Sequence, residues 1–510
     1  MGSKDAFFCT FCSLLLFCFS SKCLSSELDL PQTALVEVDA SWEVSRKIPD
    51  TLFGLFFEEI NHAGAGGIWA ELVSNRSNSQ FDKHSSWKLK NSVALRMEIL
   101  CENCPAGGVG IYNPGFWGMG HGFRKELIYM LLELRPQFLR FPGISYLAED
   151  LGAAPIWVFN VGISHHDEVD TIIIEPFVKD VLDSLEFARG SAESTWGSVR
   201  SAMGHPERFP LKYVAIGNED CGKEFYRVAH DGLKSYLTGN YLKFYDAIRK
   251  AYPDIQMISN CDGSSRPLDH PADLYDFHVY TSAANLFIMK NKFDRTSRIG
   301  PKVFVSEYAV NEQRDAGKGS LLASLAEAAF LTGLEKNSDV VQMASYAPLF
   351  VNDNDSTWNP DAIVFNSWQQ YGTPSYWVQT YFRESSGSVI HPITISSRYS
   401  DSLAASAITW QDSEDIFLRV KIVNFGPNAV NLTISSRGLQ DGVNTAKSTV
   451  TVLTSGNFLD ENSFSEPNKV VPVESELPNA AEVMEAVLPP FSFTSFDLAL
   501  DQYSKLVAEM

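Results

Sequence analysis

The sequence predicts a combined α/β and all-β protein, in which a (β/α)8 TIM barrel is followed by a C-terminal antiparallel β-sandwich. Three observations carry this prediction. Eight short apolar runs lie between residues 51 and 385, amphipathic helical patterns separate most of them, and after Gly387 apolar residues alternate with polar ones. A doubly wound sheet fits the same order of strands and helices and remains the alternative on pattern alone.

The eight apolar runs are the predicted barrel strands. Near-continuous apolar residues indicate parallel strands that are buried on both faces. In chain order the runs are TLFGLFFEE (51–59), QFLRFPG (137–143), APIWVFNVG (154–162), LKYVAIGNED (211–220), IQMISN (255–260), LYDFHVYT (274–281), KVFVSEYA (302–309) and VVQMASYAPLF (340–350).

Helical patterns with a period of 3.6 residues lie between these runs. One of them has Pro176 in its first turn and Gly190 past its end, which is the usual asymmetry of helix termini. The apolar positions are Val178, Val181, Leu182, Leu185 and Ala188 in this helix, Tyr241, Phe244, Tyr245 and Ile248 in a second, and Leu321, Leu322, Leu325 and Ala329 in a third.

The two ends of the chain add further segments. Lys4 precedes an apolar run of about fifteen residues, which predicts a secretory signal peptide at 1–26 and secretion to the extracellular space or cell wall. A retained membrane anchor is the alternative. We further predict that 27–50 adds strands to the sandwich, that 51–385 forms the barrel with a short β segment at 86–118, and that 386–510 forms the sandwich. Sequons at Asn75, Asn354 and Asn431 suit a secreted glycoprotein.

Charge and cysteine content limit the classes of partner. The net charge of −21 argues against nucleic acid, whose phosphates demand a basic face, and leaves neutral sugars open. Signal cleavage would leave Cys101, Cys104, Cys221 and Cys261. No second pair at metal-site spacing follows Cys101 and Cys104, so a local disulfide is a plainer interpretation of that motif than zinc.

Polar side chains collect at the ends of the predicted strands, where the catalytic groups of such barrels lie. Two carboxylates on different strands suggest glycoside hydrolysis, with Glu219 as acid/base beside Asn218 and Glu307 as nucleophile oriented by Tyr280. We predict carboxyl groups about 5–5.5 Å apart, as in retaining enzymes. The alternatives are a structural salt bridge at the barrel rim and, for His278 or Tyr280, an ordinary buried residue. The polar residues at the predicted strand ends are Glu58, Glu59, Arg140, Asn160, Asn218, Glu219, Asp220, His278, Tyr280, Glu307 and Tyr308.

The same residues carry a resemblance to a known family. VAIGNED and FVSEYA resemble glycoside hydrolase clan A, and FGLFFEEINHAGAGGIWAELVSNRS, DFHVYTSAANLF and YGTPSYWVQ narrow the resemblance to the plant branch of family 51 α-L-arabinofuranosidases. The resemblance implies a retaining enzyme without metal or cofactor that releases terminal arabinofuranose from arabinoxylan and arabinan. It implies Glu219 as acid/base, Glu307 as nucleophile, and Glu58, Asn218, His278, Tyr280, Arg140, Trp358 and Asp361 as substrate-binding residues.

This chain also departs from the family pattern. Met119 runs directly into Gly120, where plant members carry a further β-sandwich, and residues 228–238 are an addition. Only residues 144–154 separate Gly143 from Pro155, whereas a parallel crossover takes a dozen or more. The second crossover helix is therefore predicted to be largely missing, with apolar flanks of strands two and three exposed. Alternative functions are a β-D-xylosidase or bifunctional enzyme, or a catalytically impaired form.

Overall fold

The structure is a computed structural model that describes residues 32–58, 60, 63, 118–119, 123–141, 146–227, 239–355, 358–359, 361–412, 415–439 and 442–501. The predicted signal peptide lies outside these residues, as does the predicted β segment at 86–118 apart from its last residue. Within the described ranges, none of the helices is both long and apolar enough to cross a lipid bilayer.

The described strands and helices follow the chain from the sandwich into the barrel and back. The strands are β1 (Gln32–Asp39), β2 (Arg46–Lys47), β3 (Phe53–Phe56), β4 (Gly118–Met119), β5 (Phe123–Arg124), β6 (Phe138–Phe141), β7 (Ala154–Phe159), β8 (Tyr213–Ile216), β9 (Gln256–Ser259), β10 (Leu274–Thr281), β11 (Lys302–Val310), β12 (Val341–Tyr346), β13 (Phe350–Asn352), β14 (Ile363–Phe365), β15 (Gln370–Gly372), β16 (Val389–His391), β17 (Ile393–Ser396), β18 (Leu403–Asp412), β19 (Asp415–Asn424), β20 (Val430–Arg437), β21 (Val443–Leu453), β22 (Val473–Glu476), β23 (Val483–Leu488) and β24 (Ser492–Leu500). The α-helices are α1 (Lys125–Glu133), α2 (Tyr146–Asp150), α3 (Glu175–Arg189), α4 (Thr195–Ala202), α5 (Asn240–Ala251), α6 (Ala283–Ile288), α7 (Gln313–Ala316), α8 (Leu321–Lys336) and α9 (Pro374–Thr380).

Eight parallel strands close into the predicted barrel. Around the barrel the order is β3, β6, β7, β8, β9, β10, β11 and β12, so each of the eight apolar runs supplies one strand. Large side chains fill the interior, among them Phe138, Tyr213, Phe304 and Met343. The predicted fold class is thereby confirmed, and the carboxyl ends of all eight strands open on one face.

Helix α3 forms as its periodicity predicts. Pro176 lies in its first turn and Gly190 is its C-cap, while Val178, Val181 and Leu185 face the barrel and are buried. Helix α8 is buried on nearly every side, because the barrel strand β11 packs against one side and sandwich strands β18 and β19 pack against another.

The second crossover is short, as predicted, because the structure has only the five-residue helix α2 there. The expectation that strands two and three expose an apolar flank was wrong. Residues of β6 and β7 are buried or half-buried, and Phe209 of the segment after α4 packs in one apolar cluster with Trp157 and Phe159 of β7. The Tyr146 ring packs against His205 and Phe209, and Glu149 accepts a 3.0 Å hydrogen bond from His205.

The C-terminal sheets form a sandwich that includes the first described strands. Four strands in the order β17, β1, β20 and β23 face seven in the order β2, β16, β18, β19, β24, β21 and β22. Strand β1 runs antiparallel to β17 but parallel to β20, so one pair departs from the antiparallel pattern. Alternate side chains such as Val36, Val420 and Ile434 fill the space between the sheets.

A disulfide joins Cys221, in the loop after β8, to Cys261, in the loop after β9. It links two neighbouring loops at the carboxyl-end face of the barrel. The motif at Cys101 and Cys104 lies outside the described residues, so its local disulfide stays a prediction.

Candidate active site

The carboxyl-end face brings together six polar side chains from four barrel strands. Arg140 lies in β6, Asn218 and Glu219 follow β8, His278 and Tyr280 lie in β10, and Glu307 lies in β11. His278 and Glu307 are neighbours in the pairing of β10 with β11. Hydrogen bonds join the six side chains in two groups, which are Arg140 with Glu307, Asn218 and Tyr280, and His278 with Glu219. His278 Nε2 lies 3.6 Å from Glu307 Oε1, so the two groups adjoin.

Glu307 is a buried carboxylate held by two donors. Arg140 Nη1 donates to its Oε1 at 2.9 Å, and the Tyr280 hydroxyl donates to its Oε2 at 2.8 Å. A buried charge needs such partners, because desolvation otherwise favours the neutral form. Burial and the neighbouring charge of Glu307 raise the pKa of the Tyr280 phenol far above its usual value, so Tyr280 remains a donor. Glu307 is therefore fixed in orientation.

Arg140 supplies the positive charge of the site. Its guanidinium is fully buried and lies over the Phe56 ring, 4.9 Å from the ring centroid. Burial opposes its charge, but Asp276 and Glu307 outweigh this and raise the pKa of Arg140. Its Nη2 donates to Asn218 Oδ1 at 2.7 Å, which fixes the Asn218 amide and leaves its nitrogen as a donor.

Glu219 differs from Glu307 in exposure, backbone conformation and partner. Its side chain is 54% exposed, and its φ of 58° is in the left-handed region, which is strained for a residue with a side chain. Glu219 Oε1 lies 3.0 Å from His278 Nδ1, and this hydrogen bond is the main cause that lowers the pKa of Glu219. Strained residues of this kind collect at functional sites.

His278 holds a proton between the two carboxylates. Burial works against its charge, but Glu307, Asp276 and Glu219 together raise the pKa of His278 to about 10. At neutral pH the proton of the coupled Glu219 and His278 pair therefore rests on the imidazole. Oxygens of Glu219 and Glu307 and a ring nitrogen of His278 all lie within 4.8 Å of one another.

These three groups have the ligand types of a divalent-cation site. Arg140 and a protonated His278 already supply positive charge beside these carboxylates and beside the buried Asp276. The close approach of the two carboxylates has a chemical consequence instead. In glycosidases whose two carboxyl groups lie about 5–5.5 Å apart, one of them attacks the sugar directly. A separation of about 6.5–9.5 Å leaves room for a water between one carboxylate and the sugar.

The remaining predicted residues lie around this cluster. Glu58 is half-buried, and its charge contributes to the raised pKa values of Arg140 and Tyr280, which places it beside them. The Trp358 ring packs edge-on against Tyr280 with centroids 5.4 Å apart. Asp361 is completely buried, and its backbone carbonyl accepts a 2.9 Å hydrogen bond from Thr373. The substrate-binding roles of all three stay predictions.

Sequence reasoning missed Asp276, which is completely enclosed beneath the site. Its Oδ2 lies 3.5 Å from Arg140 Nη2 and 3.7 Å from His278 Nε2. The available signal was an aspartate inside the apolar run 274–281, which on burial needs a cationic partner. Asp276 therefore stabilises the positively charged forms of Arg140 and His278.

Two family models match the chain. One is described as the alpha-L-arabinofuranosidase 1 domain and matches residues 144–298. The other is described as the alpha-L-arabinofuranosidase C-terminal domain and matches residues 306–492. Five of the six clustered residues lie inside these two matches, and Arg140 lies just before the first.

Curated relatives resemble nearly the whole chain. Alpha-L-arabinofuranosidase 1 of Arabidopsis thaliana is 46% identical over 656 residues, which covers 96% of this chain and 95% of that protein. Alpha-L-arabinofuranosidase 2 of the same plant is 44% identical over 636 residues, which covers 92% of each chain. Both alignments are longer than the 510 residues here, so these relatives have internal residues that this chain lacks.

Solved structures share the fold. An arabinose-bound GH51 α-L-arabinofuranosidase superposes with a TM-score of 0.75 at 20% identity, covering 92% of this chain and 100% of that one. The arabinose complex of α-L-arabinofuranosidase from Thermotoga maritima gives 0.65 at 17% identity over 92% and 100%. The barrel and sandwich described above are thus a known combination.

Proposed function

The chain belongs to the α-L-arabinofuranosidases of glycoside hydrolase family 51, and from that membership we propose that it releases terminal α-L-arabinofuranose with retention of configuration. Glu307 is the nucleophile and Glu219 is the acid/base. The observation that carries this assignment is that one oxygen of Glu219 and one oxygen of Glu307 lie within 4.8 Å of each other, the first carboxylate being exposed and the second buried and fixed.

Glycosyl transfer to the enzyme uses both carboxylates. Glu307 attacks the anomeric carbon, and the bond from this carbon to the glycosidic oxygen breaks. The leaving oxygen takes the proton of this pair, which passes from His278 to Glu219 across their 3.0 Å hydrogen bond and from Glu219 to the oxygen, so that Glu219 ends the step as a carboxylate. In the second step Glu219 removes a proton from water, and the water oxygen displaces Glu307 and releases arabinose.

The neighbouring side chains favour this charge movement. While Glu307 is negative, Arg140 and Tyr280 hold its two oxygens, so it is oriented before the sugar arrives. The Asn218 amide nitrogen is placed to donate to a sugar hydroxyl, because Arg140 occupies its carbonyl oxygen. Glu58 lies beside Arg140 and Tyr280, Trp358 packs against Tyr280, and both are proposed to contact arabinose.

The substrates proposed are arabinose-containing polysaccharides and oligosaccharides of the cell wall, and the protein is proposed to be a secreted glycoprotein. Arabinose-containing chains follow from the activity of the family. Secretion rests on Lys4 and the apolar run that follows it. Retention of a reporter inside plant cells when residues 1–26 are fused to it would contradict secretion.

The short second crossover raises the question whether this form is active. Support for activity comes from the closed barrel and from the cluster of six polar side chains on its carboxyl-end face, both present with α2 only five residues long. We therefore propose an active enzyme rather than an impaired form.

The deciding assay compares 4-nitrophenyl α-L-arabinofuranoside with 4-nitrophenyl β-D-xyloside on the purified full chain and on Glu307→Gln. We expect turnover of the arabinofuranoside by the unmodified chain alone. Equal turnover by both proteins would identify a contaminant, preference for the xyloside would refute the specificity, and no turnover beside an active plant relative would refute activity of this form.

A further inference from the structure

The turn that carries Glu219 has an unusual backbone. Strand β8 ends at Ile216, and both Gly217, with a φ of 86°, and Glu219, with a φ of 58°, are in the left-handed region. Glycine takes this conformation freely, whereas a glutamate does so only where surrounding contacts hold it. Some contact must therefore oppose relaxation of the turn.

Asp220 makes that contact from inside the protein. Its side chain is 6% exposed, and its Oδ2 accepts a 3.0 Å hydrogen bond from the backbone N–H of Asn218. This hydrogen bond joins the residues before and after Glu219 and thereby closes the turn. The turn is tightly packed, because a Cβ added at Gly217 would lie 2.6 Å from Asp220 Oδ2 and 2.4 Å from Asn260 Nδ2.

The segment that carries Asp220 is also held in place. Cys221, the next residue, is in the disulfide with Cys261. The Tyr226 hydroxyl donates to the Ile216 carbonyl at 3.0 Å, and the Lys223 N–H donates to the Asp220 carbonyl at 2.8 Å. The chain on both sides of the turn is held, His278 holds the Glu219 carboxyl and Arg140 holds the Asn218 side chain. The bond from the Asn218 N–H to Asp220 holds the backbone of the turn itself.

We propose that Asp220 is a positioning residue, which holds Glu219 in its left-handed conformation so that the carboxyl points at the glycosidic oxygen. This inference rests on the proposed acid/base role of Glu219. Asp220 does not touch the sugar or transfer a proton. Its action is geometric, and a misplacement of about 1 Å at a catalytic group costs roughly a hundredfold in rate.

The test compares Asp220→Ala, which removes the acceptor, with Asp220→Asn, which keeps an oxygen acceptor of the same length. For each variant, kcat/KM is measured on 2,4-dinitrophenyl α-L-arabinofuranoside, whose leaving group needs no proton, and on an arabino-oligosaccharide, whose leaving group does. We expect Asp220→Ala to lose roughly tenfold to a hundredfold on the oligosaccharide and only a few-fold on the aryl substrate. Asp220→Asn should stay within a few-fold of the unmodified enzyme on both.

A merely structural role of Asp220 would lower kcat/KM equally on both substrates, so equal losses in Asp220→Ala would overturn the proposal. An unchanged kcat/KM in Asp220→Ala would also overturn it, and so would equal kcat/KM values for the Asn and Ala variants. If Asp220→Ala does not fold, Asp220→Glu, which displaces the acceptor by one methylene, is measured instead, and an unchanged ratio of the two substrates overturns the proposal. Glu219→Gln is the reference. If Glu219→Gln does not prefer the aryl substrate over the oligosaccharide, the acid/base assignment itself fails. If Glu219→Gln prefers the aryl substrate and Asp220→Ala does not, only the role of Asp220 is refuted.

Discussion

His278 and Glu219 share one proton across a 3.0 Å hydrogen bond, and this pair makes stability depend on pH. The pKa of folded His278 is about 10, above its unfolded value near 6.5. Its protonation therefore stabilises the fold fully below pH 6.5, and this contribution is lost as the pH rises through 10. We predict that His278→Asn lowers Tm more at pH 6 than at pH 10, measured by calorimetry.

The exposed His166 offers a matched control for this prediction. His166→Asn should change Tm little at either pH. If the decrease caused by His278→Asn is the same at pH 6 and pH 10, the carboxylates around His278 do not hold a proton on it.

Tyr280 is the second donor to Glu307, and its hydroxyl can be removed without changing the ring. A hydrogen bond to a charged group contributes about 1.5–3 kcal/mol, so Tyr280→Phe should lower kcat/KM roughly tenfold to a hundredfold. Steady-state kinetics on 4-nitrophenyl α-L-arabinofuranoside measure this. Tyr129→Phe, at a half-exposed position on α1, should leave the rate unchanged. An equal rate for Tyr280→Phe and the unmodified chain would show that Glu307 does not depend on this donor.

At the scale of elements, the Cys221 and Cys261 disulfide closes a loop of 40 residues between the ends of β8 and β9. A cross-link of this size removes conformational freedom from the unfolded chain and stabilises the fold by about 2–4 kcal/mol. We predict that the double variant Cys221→Ser and Cys261→Ser loses about this much unfolding free energy in urea. Its acid/base turn should also loosen, so kcat/KM on an arabino-oligosaccharide should fall.

The unmodified chain treated with reductant provides an independent version of the same measurement. Treated and double-variant proteins should unfold at the same urea concentration. Unchanged unfolding in both would mean that the two loops are held without the disulfide.

The elements that could be predicted from sequence are those with local signals. The eight parallel strands are apolar along their whole length, and α3 has both its period and its Pro176 and Gly190 ends in sequence. The disulfide partner of Cys221 could not be predicted, because Cys261 lies 40 residues away and no spacing rule applies. Burial of β6 and β7 was likewise missed, since Phe209 and His205 reach α2 from a distant segment.

The site was predictable for a similar reason. Glu219, His278, Tyr280 and Glu307 each stand at a strand end, and in a closed barrel all strand ends meet on one face. The sequence could not supply the pattern of hydrogen bonds among these side chains. Arg140 stands at a strand end too, yet only its position between Glu307 and Asn218 reveals that it fixes both.

At the scale of the whole molecule, barrel and sandwich are joined by a buried ion pair. Lys421 of β19 and Glu335 of α8 are both completely buried, and Lys421 Nζ donates to Glu335 Oε1 and, at 3.1 Å, to Ser385 Oγ. Glu335 Oε2 accepts from Ser406 at 2.5 Å. The pair therefore lies where the two parts of the molecule meet, and neither charge has access to water.

Breaking this pair from one side should be costly. Lys421→Met leaves the Glu335 charge buried without its partner, which costs about 3–5 kcal/mol, and adding Glu335→Gln should recover most of that loss. Urea unfolding of the single and double variants measures both values. A loss below about 1 kcal/mol for Lys421→Met would show that the interface does not depend on the pair.

Hydrolysis with retention requires a covalent bond between Glu307 and the sugar. Glu219→Gln turned over with 2,4-dinitrophenyl α-L-arabinofuranoside should form the glycosyl-enzyme quickly and hydrolyse it slowly, because water loses its general base. Mass spectrometry of the digested protein should then find one arabinosyl group on the peptide that contains Glu307, and none when Glu307→Gln is added. An unmodified Glu307 peptide together with inverted arabinose, or a label on another carboxylate, would contradict the account.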